Sequence, residues 1–262
     1  MSVQSLHLFP IKSIHGVRVD QATCGARGFE GDRRYMIVNP DGRSLTQRTV
    51  PELGLIRWLD DHLLADGHTP IAVPEPIEVT RHVQVWSAHV DAYGMPDPID
   101  AWISNVIGQP AHLVFMDQKH SRPIDAEIFG DAEVSFADGF PYLITNTASL
   151  ADLNARIAGP EVLMDAFRAN IVIDTSEAWA EDEWKRLRIG GAEFEIVSPC
   201  ERCKVTTLDP EDPRVVRRDG EPLRTLATFR RSGGGVIFGV NAICRTPGVA
   251  VQIGDACTVT AS

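Results

Sequence analysis

The sequence reads as a mostly-β protein with a few helices, and three observations lead there. Residues 2–9 alternate polar and apolar side chains, as a half-buried strand does. Up to residue 95, short runs rich in β-branched residues are punctuated by Pro and Gly about every ten positions, the spacing of a barrel or sandwich. Helical spacing is confined to short stretches, with strand-like segments between them in the second half.

In order, Pro10 ends the first strand and leaves Lys12 and Ser13 at its exit. Gly28 to Arg34 forms a glycine-hinged loop running into a strand at Tyr35–Val38. Asn39-Pro40-Asp41-Gly42 is a turn, with a further strand expected near Ser44–Thr46. Asp100–Val106 reads as a helix stopped by Gly108 and Pro110. Residues 121–139, rich in Pro, Asp and Gly, form a long loop over a site or the seam between two halves. A strand follows at Pro141–Thr145, then a helix from Ser149 to Ile157 entered through a near capping box. Later strands are expected at Ile171–Ile173, Arg186–Ile189, Glu193–Val197, Cys203–Leu208, Val236–Asn241 and Val249–Asp255. One more helix, Pro222–Arg230, carries proline at its start. There is no internal repeat and no low-complexity tract.

The chain has 262 residues and a net charge of -11, which argues against a nucleic-acid surface but not against a local basic pocket for one small anion. An apolar fraction of 44% and a charged fraction of 23% are those of a globular protein. The N-terminus lacks the basic and long apolar regions of a secretory signal, and no run approaches a membrane-spanning length. A cytoplasmic location with no membrane partner is the expectation. Five cysteines spread thinly over the chain look like free thiols more than a disulfide framework.

The chemistry is expected at Cys200-Glu201-Arg202-Cys203. A thiolate is a soft metal ligand, and Arg202 and Lys204 favour its deprotonated form. The following Val205-Thr206-Thr207 run reads as a strand, so the helix N-terminus of a thioredoxin-like dithiol is missing. On spacing alone, a functional thiolate competes with an inert buried cysteine, the commoner case, and with zinc or dithiol sites, which lack partners. Cys244 and Cys257 look isolated. Lys12, Arg33 and Arg168 each lie at a junction between a strand and a loop. Singly each is an ordinary surface cation; as a set they could gather an anion such as phosphate. The histidines carry no ligand pattern. Ser232-Gly233-Gly234-Gly235 lacks the lysine of a phosphate cradle and reads as a flexible loop. Trp179, Trp184 and the acidic residues between them read as structural or exposed.

Taken together, Phe9-Pro10-Ile11-Lys12-Ser13, Gly31-Asp32-Arg33-Arg34-Tyr35, Thr46-Gln47-Arg48, Ser149–Asn154, Phe167–Ile171, Cys200–Cys203 with Thr206-Thr207, and Phe238-Gly239 resemble the MOSC-domain family. The resemblance is to the branch that includes the amidoxime-reducing components. It implies an N-terminal β-barrel-like domain over residues 1–115 and a MOSC β-barrel over 116–262. It also implies a molybdenum–molybdopterin cofactor at their junction, with Cys203 as metal ligand and catalytic residue. Lys12, Ser13, Arg33, Arg168 and Asn170 match positions around the pterin and its phosphate. Asp138, Gly139, Phe140, Glu201, Arg202 and Asn241 match further cofactor contacts. Pyridoxal phosphate binding is a family-level association only.

The implied activity is two-electron reduction of small N-hydroxylated compounds such as amidoximes and hydroxylamines. The alternative is a cofactor carrier or sulfur relay. The sequence holds no cluster-binding cysteine set, so electrons are expected from a separate ferredoxin- or flavoprotein-type partner. Glu201 stands where mammalian members have a small residue, which sets a carboxylate near the metal.

Overall fold

The computed structural model describes residues 1–120, 122–124, 132–217 and 219–260. Strands make up 39% and helices 18%, so the mostly-β class holds. The strands are divided among five sheets, and no closed barrel is formed among the described residues.

The largest sheet has nine strands. From one edge they run Val17–Val19, Ser2–Leu8, Ile171–Asp174, Tyr142–Asn146, Gly235–Cys244, Ala192–Arg202, Arg186–Ile189 and Cys257–Thr260, with the short Arg231–Ser232 paired to Gly235–Cys244. Tyr142–Asn146 and Ile171–Asp174 are parallel, and the helix Thr147–Arg156 lies in the connection between them. Leu6, Ile144, Ile171, Phe194, Val240 and Ala242 bury one face of this sheet. Alternating strands do this because successive side chains point to opposite faces.

A second, four-stranded antiparallel sheet is built from Tyr35–Val38, His112–Phe115, Ala88–Gly94 and Thr80–Val85. The helix Asp97–Ile107 is longer than the expected Asp100–Val106 but ends as expected, with Gly108 left-handed at φ 71°. It buries Ile99, Ile103 and Ile107, spaced four apart along one stripe, against Ile11, Ile37 and Leu113. Ala250–Gln252 pairs with Gln21–Gly25, so the two ends of the chain are interleaved.

Several expectations are corrected. Cys203–Leu208 is not a strand: the strand Ala192–Arg202 stops before Cys203, and Lys204–Thr207 is one turn of 3₁₀ helix. The threonines that suggested a strand instead bend the backbone. Thr206 Oγ1 donates to the Cys203 carbonyl at 2.9 Å and Thr207 Oγ1 to the Lys204 carbonyl at 2.7 Å. Ser44 makes only an isolated bridge to Val38, because its N–H donates to the Gln84 carbonyl while that of Leu45 donates to the Ile37 carbonyl, so the segment divides its bonds between two strands. The helix expected from Ser149 begins at Thr147, and Asn146 caps it by accepting from the Ser149 N–H at 3.0 Å. Ser232–Gly235 forms a tight hairpin turn, with Gly233 at φ 60° and Gly234 at φ 91°, the left-handed pair such turns require. Of the expected loop 121–139, Ser121 and residues 125–131 lie outside the described residues. Arg122–Pro123 pairs with Glu133–Val134.

Gly239 explains the Phe238-Gly239 motif. It lies at φ 74° at an irregularity in the pairing of Gly235–Cys244 with Ala192–Arg202. A Cβ there would stand 2.7 Å from Thr145 Cγ2 and 2.8 Å from the Ile144 carbonyl. Such irregularities re-aim a strand, here the one that carries Cys200, Glu201 and Arg202. Phe238 stacks on Phe167 with centroids 3.8 Å apart, so the same motif fixes the turn preceding Arg168.

Candidate functional site

Most of the segments that carry the motifs meet at one cavity of about 550 Å³; Ser149–Asn154 and Phe238-Gly239 do not line it. All twelve residues expected at the site line it. Lys12 and Ser13 come from the exit of the first strand, and Arg33 from the turn before Tyr35–Val38. Asp138, Gly139 and Phe140 approach from the segment before Tyr142–Asn146. Arg168 and Asn170 sit between the 3₁₀ turn Met164–Phe167 and the strand Ile171–Asp174. Glu201, Arg202 and Cys203 lie at the end of Ala192–Arg202, and Asn241 on the neighbouring strand.

The backbone is unusual at three of these positions. Ser13, Arg33 and Arg168 have φ values of 69°, 48° and 56°. Left-handed backbone is uncommon for non-glycine residues, costs energy and clusters at functional sites. Arg33 and Arg168 both approach the Phe9 ring, each guanidinium carbon 4.3 Å from its centroid. Arg33 donates to Asp32 at 2.7 Å and to Asn170 Oδ1 at 3.0 Å, while Arg168 donates to the Ile14 carbonyl at 2.7 Å. Asp32 also accepts from the Phe9 N–H at 2.8 Å and from Asn170 Nδ2 at 3.2 Å. These bonds lock the two arginines and leave the rest of each guanidinium for a ligand.

Among the described residues, five cations, Lys12, Arg33, Arg48, Arg168 and Arg202, line the cavity against two carboxylates, Asp138 and Glu201. In a chain of net charge -11 this is a local inversion of sign. Burial lowers the Lys12 ammonium from its usual range, against the pull of its ion-pair partner Asp138. Burial, with Arg33 adding repulsion, brings the Arg168 guanidinium down to about 9. Burial alone would raise the Asp138 carboxyl, but Lys12, Arg48 and Arg33 override it and hold it below the usual carboxylate range. Cations held close together out of water gain from an anionic ligand, which relieves their repulsion and restores hydrogen bonds.

The two thiols both border the cavity, each with its own arginine. Arg48 Nη2 lies 3.2 Å from Cys203 Sγ, and Arg202 Nη1 lies 3.0 Å from Cys200 Sγ. Arg202 Nη2 also donates to the Phe167 carbonyl at 2.6 Å, while its Nε is buried without a partner. Asn241 Nδ2 donates to Ser198 Oγ at 3.1 Å. Glu201 lies along the glycine hairpin: a Cβ on Gly235 would come within 2.6 Å of its Cδ.

Arg48, part of the Thr46-Gln47-Arg48 motif, also lines the cavity, and Trp86, which carries it, has no signal in the sequence. The guanidinium carbon of Arg48 lies 4.3 Å from the Trp86 ring centroid. Cys244 is buried in the same core cluster as Cys24, with its Sγ 3.8 Å from Thr246 Oγ1. All five cysteines are free thiols. No histidine lines the cavity among the described residues. No helix among them is long and apolar enough to cross a membrane.

The chain is similar to proteins of known family. Residues 1–110 match the MOSC N-terminal beta barrel domain, and residues 131–258 match the MOSC domain. The chain is 32% identical to human mitochondrial amidoxime-reducing component 1, over 97% of this chain and 81% of that one. It is 32% identical to mitochondrial amidoxime reducing component 2 of Bos taurus, over 87% of this chain and 72% of that one. With the molybdenum cofactor sulfurase of Oryza sativa subsp. japonica it shares 30% identity, over 91% of this chain but 32% of that longer protein. Two family models in succession along one chain, with relatives about 32% identical over most of it, place this protein in the MOSC-domain family.

Proposed function

We propose that this protein binds a molybdenum–molybdopterin cofactor and reduces small N-hydroxylated compounds, with the two parts of the chain dividing near residue 115. The single observation that carries the reading is the cavity itself, where the Cys200 and Cys203 thiols meet cations drawn from distant segments.

The donor set fits the group. Its volume of about 550 Å³ is in the range of ligand pockets. Cys203 offers a soft sulfur for the metal, a ligand choice that favours such metals over hard cations. Lys12, Arg33 and Arg168 offer charge-assisted hydrogen bonds for a phosphate, and Asp138, Gly139, Phe140, Glu201, Arg202 and Asn241 line the remainder. When bound, the cofactor would supply two-electron transfer coupled to oxygen-atom transfer. The residues of this chain bind and orient it, and close one side of the cavity against water.

The overall reaction takes an N–OH group, two electrons and two protons to N–H and water. Electrons come from a separate redox protein of ferredoxin or flavoprotein type. The relatives named amidoxime-reducing components support this activity.

Metal and pterin analysis of freshly purified protein, followed by amidoxime turnover with a chemical reductant, tests the proposal. Near-stoichiometric molybdenum with turnover is expected. Cys203→Ala should abolish turnover and Cys200→Ala reduce it mildly; equal loss in both would indicate a dithiol mechanism. Retained cofactor without turnover of any N-hydroxylated compound would instead identify a carrier or sulfur relay.

A further inference from the structure

Arg48 reaches Cys203 across 155 positions of sequence. Nη2 lies 3.2 Å from the sulfur and 3.4 Å from Asp138 Oδ2, and the guanidinium is stacked on Trp86 at 4.3 Å. Three contacts on one planar group fix its position and direction, and a guanidinium so held loses little further entropy in making each bond. Trp86 occupies the turn between Thr80–Val85 and Ala88–Gly94 at φ 56°, and the residue remains 47% exposed. A bulky residue in left-handed backbone, not needed to fill a core, calls for another explanation. Supporting Arg48 and flanking Lys12, whose Nζ lies 5.7 Å from the same ring, supplies one.

We propose that Arg48, held by Trp86 and Asp138, is a positioning residue for the Cys203 sulfur, so that the N-terminal part of the chain completes the metal centre carried by the C-terminal part. This rests on the reading of Cys203 as the molybdenum ligand. A donor aimed at a ligand sulfur orients it and tunes the metal, and losing such a partner typically costs about 10- to 100-fold in affinity or activity. Cys200 has an arginine from its own strand, Arg202, whereas the donor to Cys203 comes from the N-terminal part of the chain.

The experiment compares purified holoprotein of wild type, Arg48→Ala, Arg48→Lys, Trp86→Ala and Cys203→Ala. Pterin content, molybdenum content, the electron paramagnetic resonance spectrum of the half-reduced metal, and kcat and KM for one amidoxime are measured. Arg48→Ala is expected to keep its pterin, to alter the spectrum, and to lower kcat about 10- to 100-fold with KM little changed. Arg48→Lys should recover part of kcat, and Trp86→Ala should change the spectrum in the same sense more weakly. A native spectrum and native kcat in Arg48→Ala, with both lost in Cys203→Ala, would overturn the role of Arg48 and leave the ligand assignment standing. A native spectrum in Cys203→Ala would overturn the assignment, and the proposal with it.

Discussion

Lys12 and Asp138, 126 positions apart in sequence, form an ion pair in the wall of the cavity, with the lysine side chain 5% exposed and the aspartate 57%. The carboxylate also accepts from Arg48, so it holds two cations that would otherwise repel. Lys12→Met keeps the length of the side chain and removes its charge. A charge-assisted hydrogen bond contributes about 1.5–3 kcal/mol, so cofactor affinity should fall roughly 10- to 100-fold. The half-exposed Asp138 keeps Arg48, so the urea midpoint should move little. Equal pterin content in the variant and wild type would count against a phosphate at Lys12.

The two guanidiniums on Phe9 lead to a second expectation. Phe9→Leu retains an apolar side chain but removes the ring that Arg33 and Arg168 both approach. Each such contact contributes about 0.5–2 kcal/mol, depending on desolvation. The variant should lose about 1–3 kcal/mol in urea denaturation together with much of its pterin. Loss of stability with full pterin content would confine the role of Phe9 to packing.

Gly239→Ala tests the link from strand irregularity to site. The added methyl meets Thr145 and the Ile144 carbonyl, on backbone at φ 74°. The cost should be at least about 1–3 kcal/mol. Movement of Phe238 should then loosen Phe167 and the Arg202 bond to its carbonyl. Thermal unfolding and pterin content measured on the same sample should fall together.

Glu181 should make stability depend on pH. Burial raises its carboxyl above the ordinary range, and the bonds from Ser149 and Asn146 oppose this only in part. The folded state then holds the proton more tightly than the unfolded chain. Stability is greatest below the unfolded value of about 4.3 and falls as pH rises through the folded value. Glu181→Gln removes the titration. The change in Tm between about pH 5 and about pH 8 should shrink in the variant. An unchanged difference would place that pH dependence elsewhere.

Much of this molecule was legible before the structure. Alternating polar and apolar residues marked Ser2–Leu8 and Arg186–Ile189, and an apolar run after a glycine-hinged loop marked Tyr35–Val38, because a strand's burial pattern is written in alternate residues. Cys203–Leu208 misled for the same local reason. Threonine favours strands by its branched carbon, but its hydroxyl can also bond to the backbone three residues back, and at Thr206 and Thr207 that bond prevails. Trp86 could not be found, since a tryptophan in a hairpin turn becomes informative only once Arg48 lies upon it.

The sequence by itself determined the strand content, the family, and the list of cations and thiols. These follow from side-chain period and from motifs whose order along the chain is visible. Only the tertiary structure decided that Arg48 faces Cys203 while Arg202 faces Cys200, and that Phe9 lies against two guanidiniums. Those pairings join residues up to 159 positions apart. They depend on how two sheets pack and on left-handed turns at Ser13, Arg33 and Arg168, where local sequence preference alone would place the backbone elsewhere.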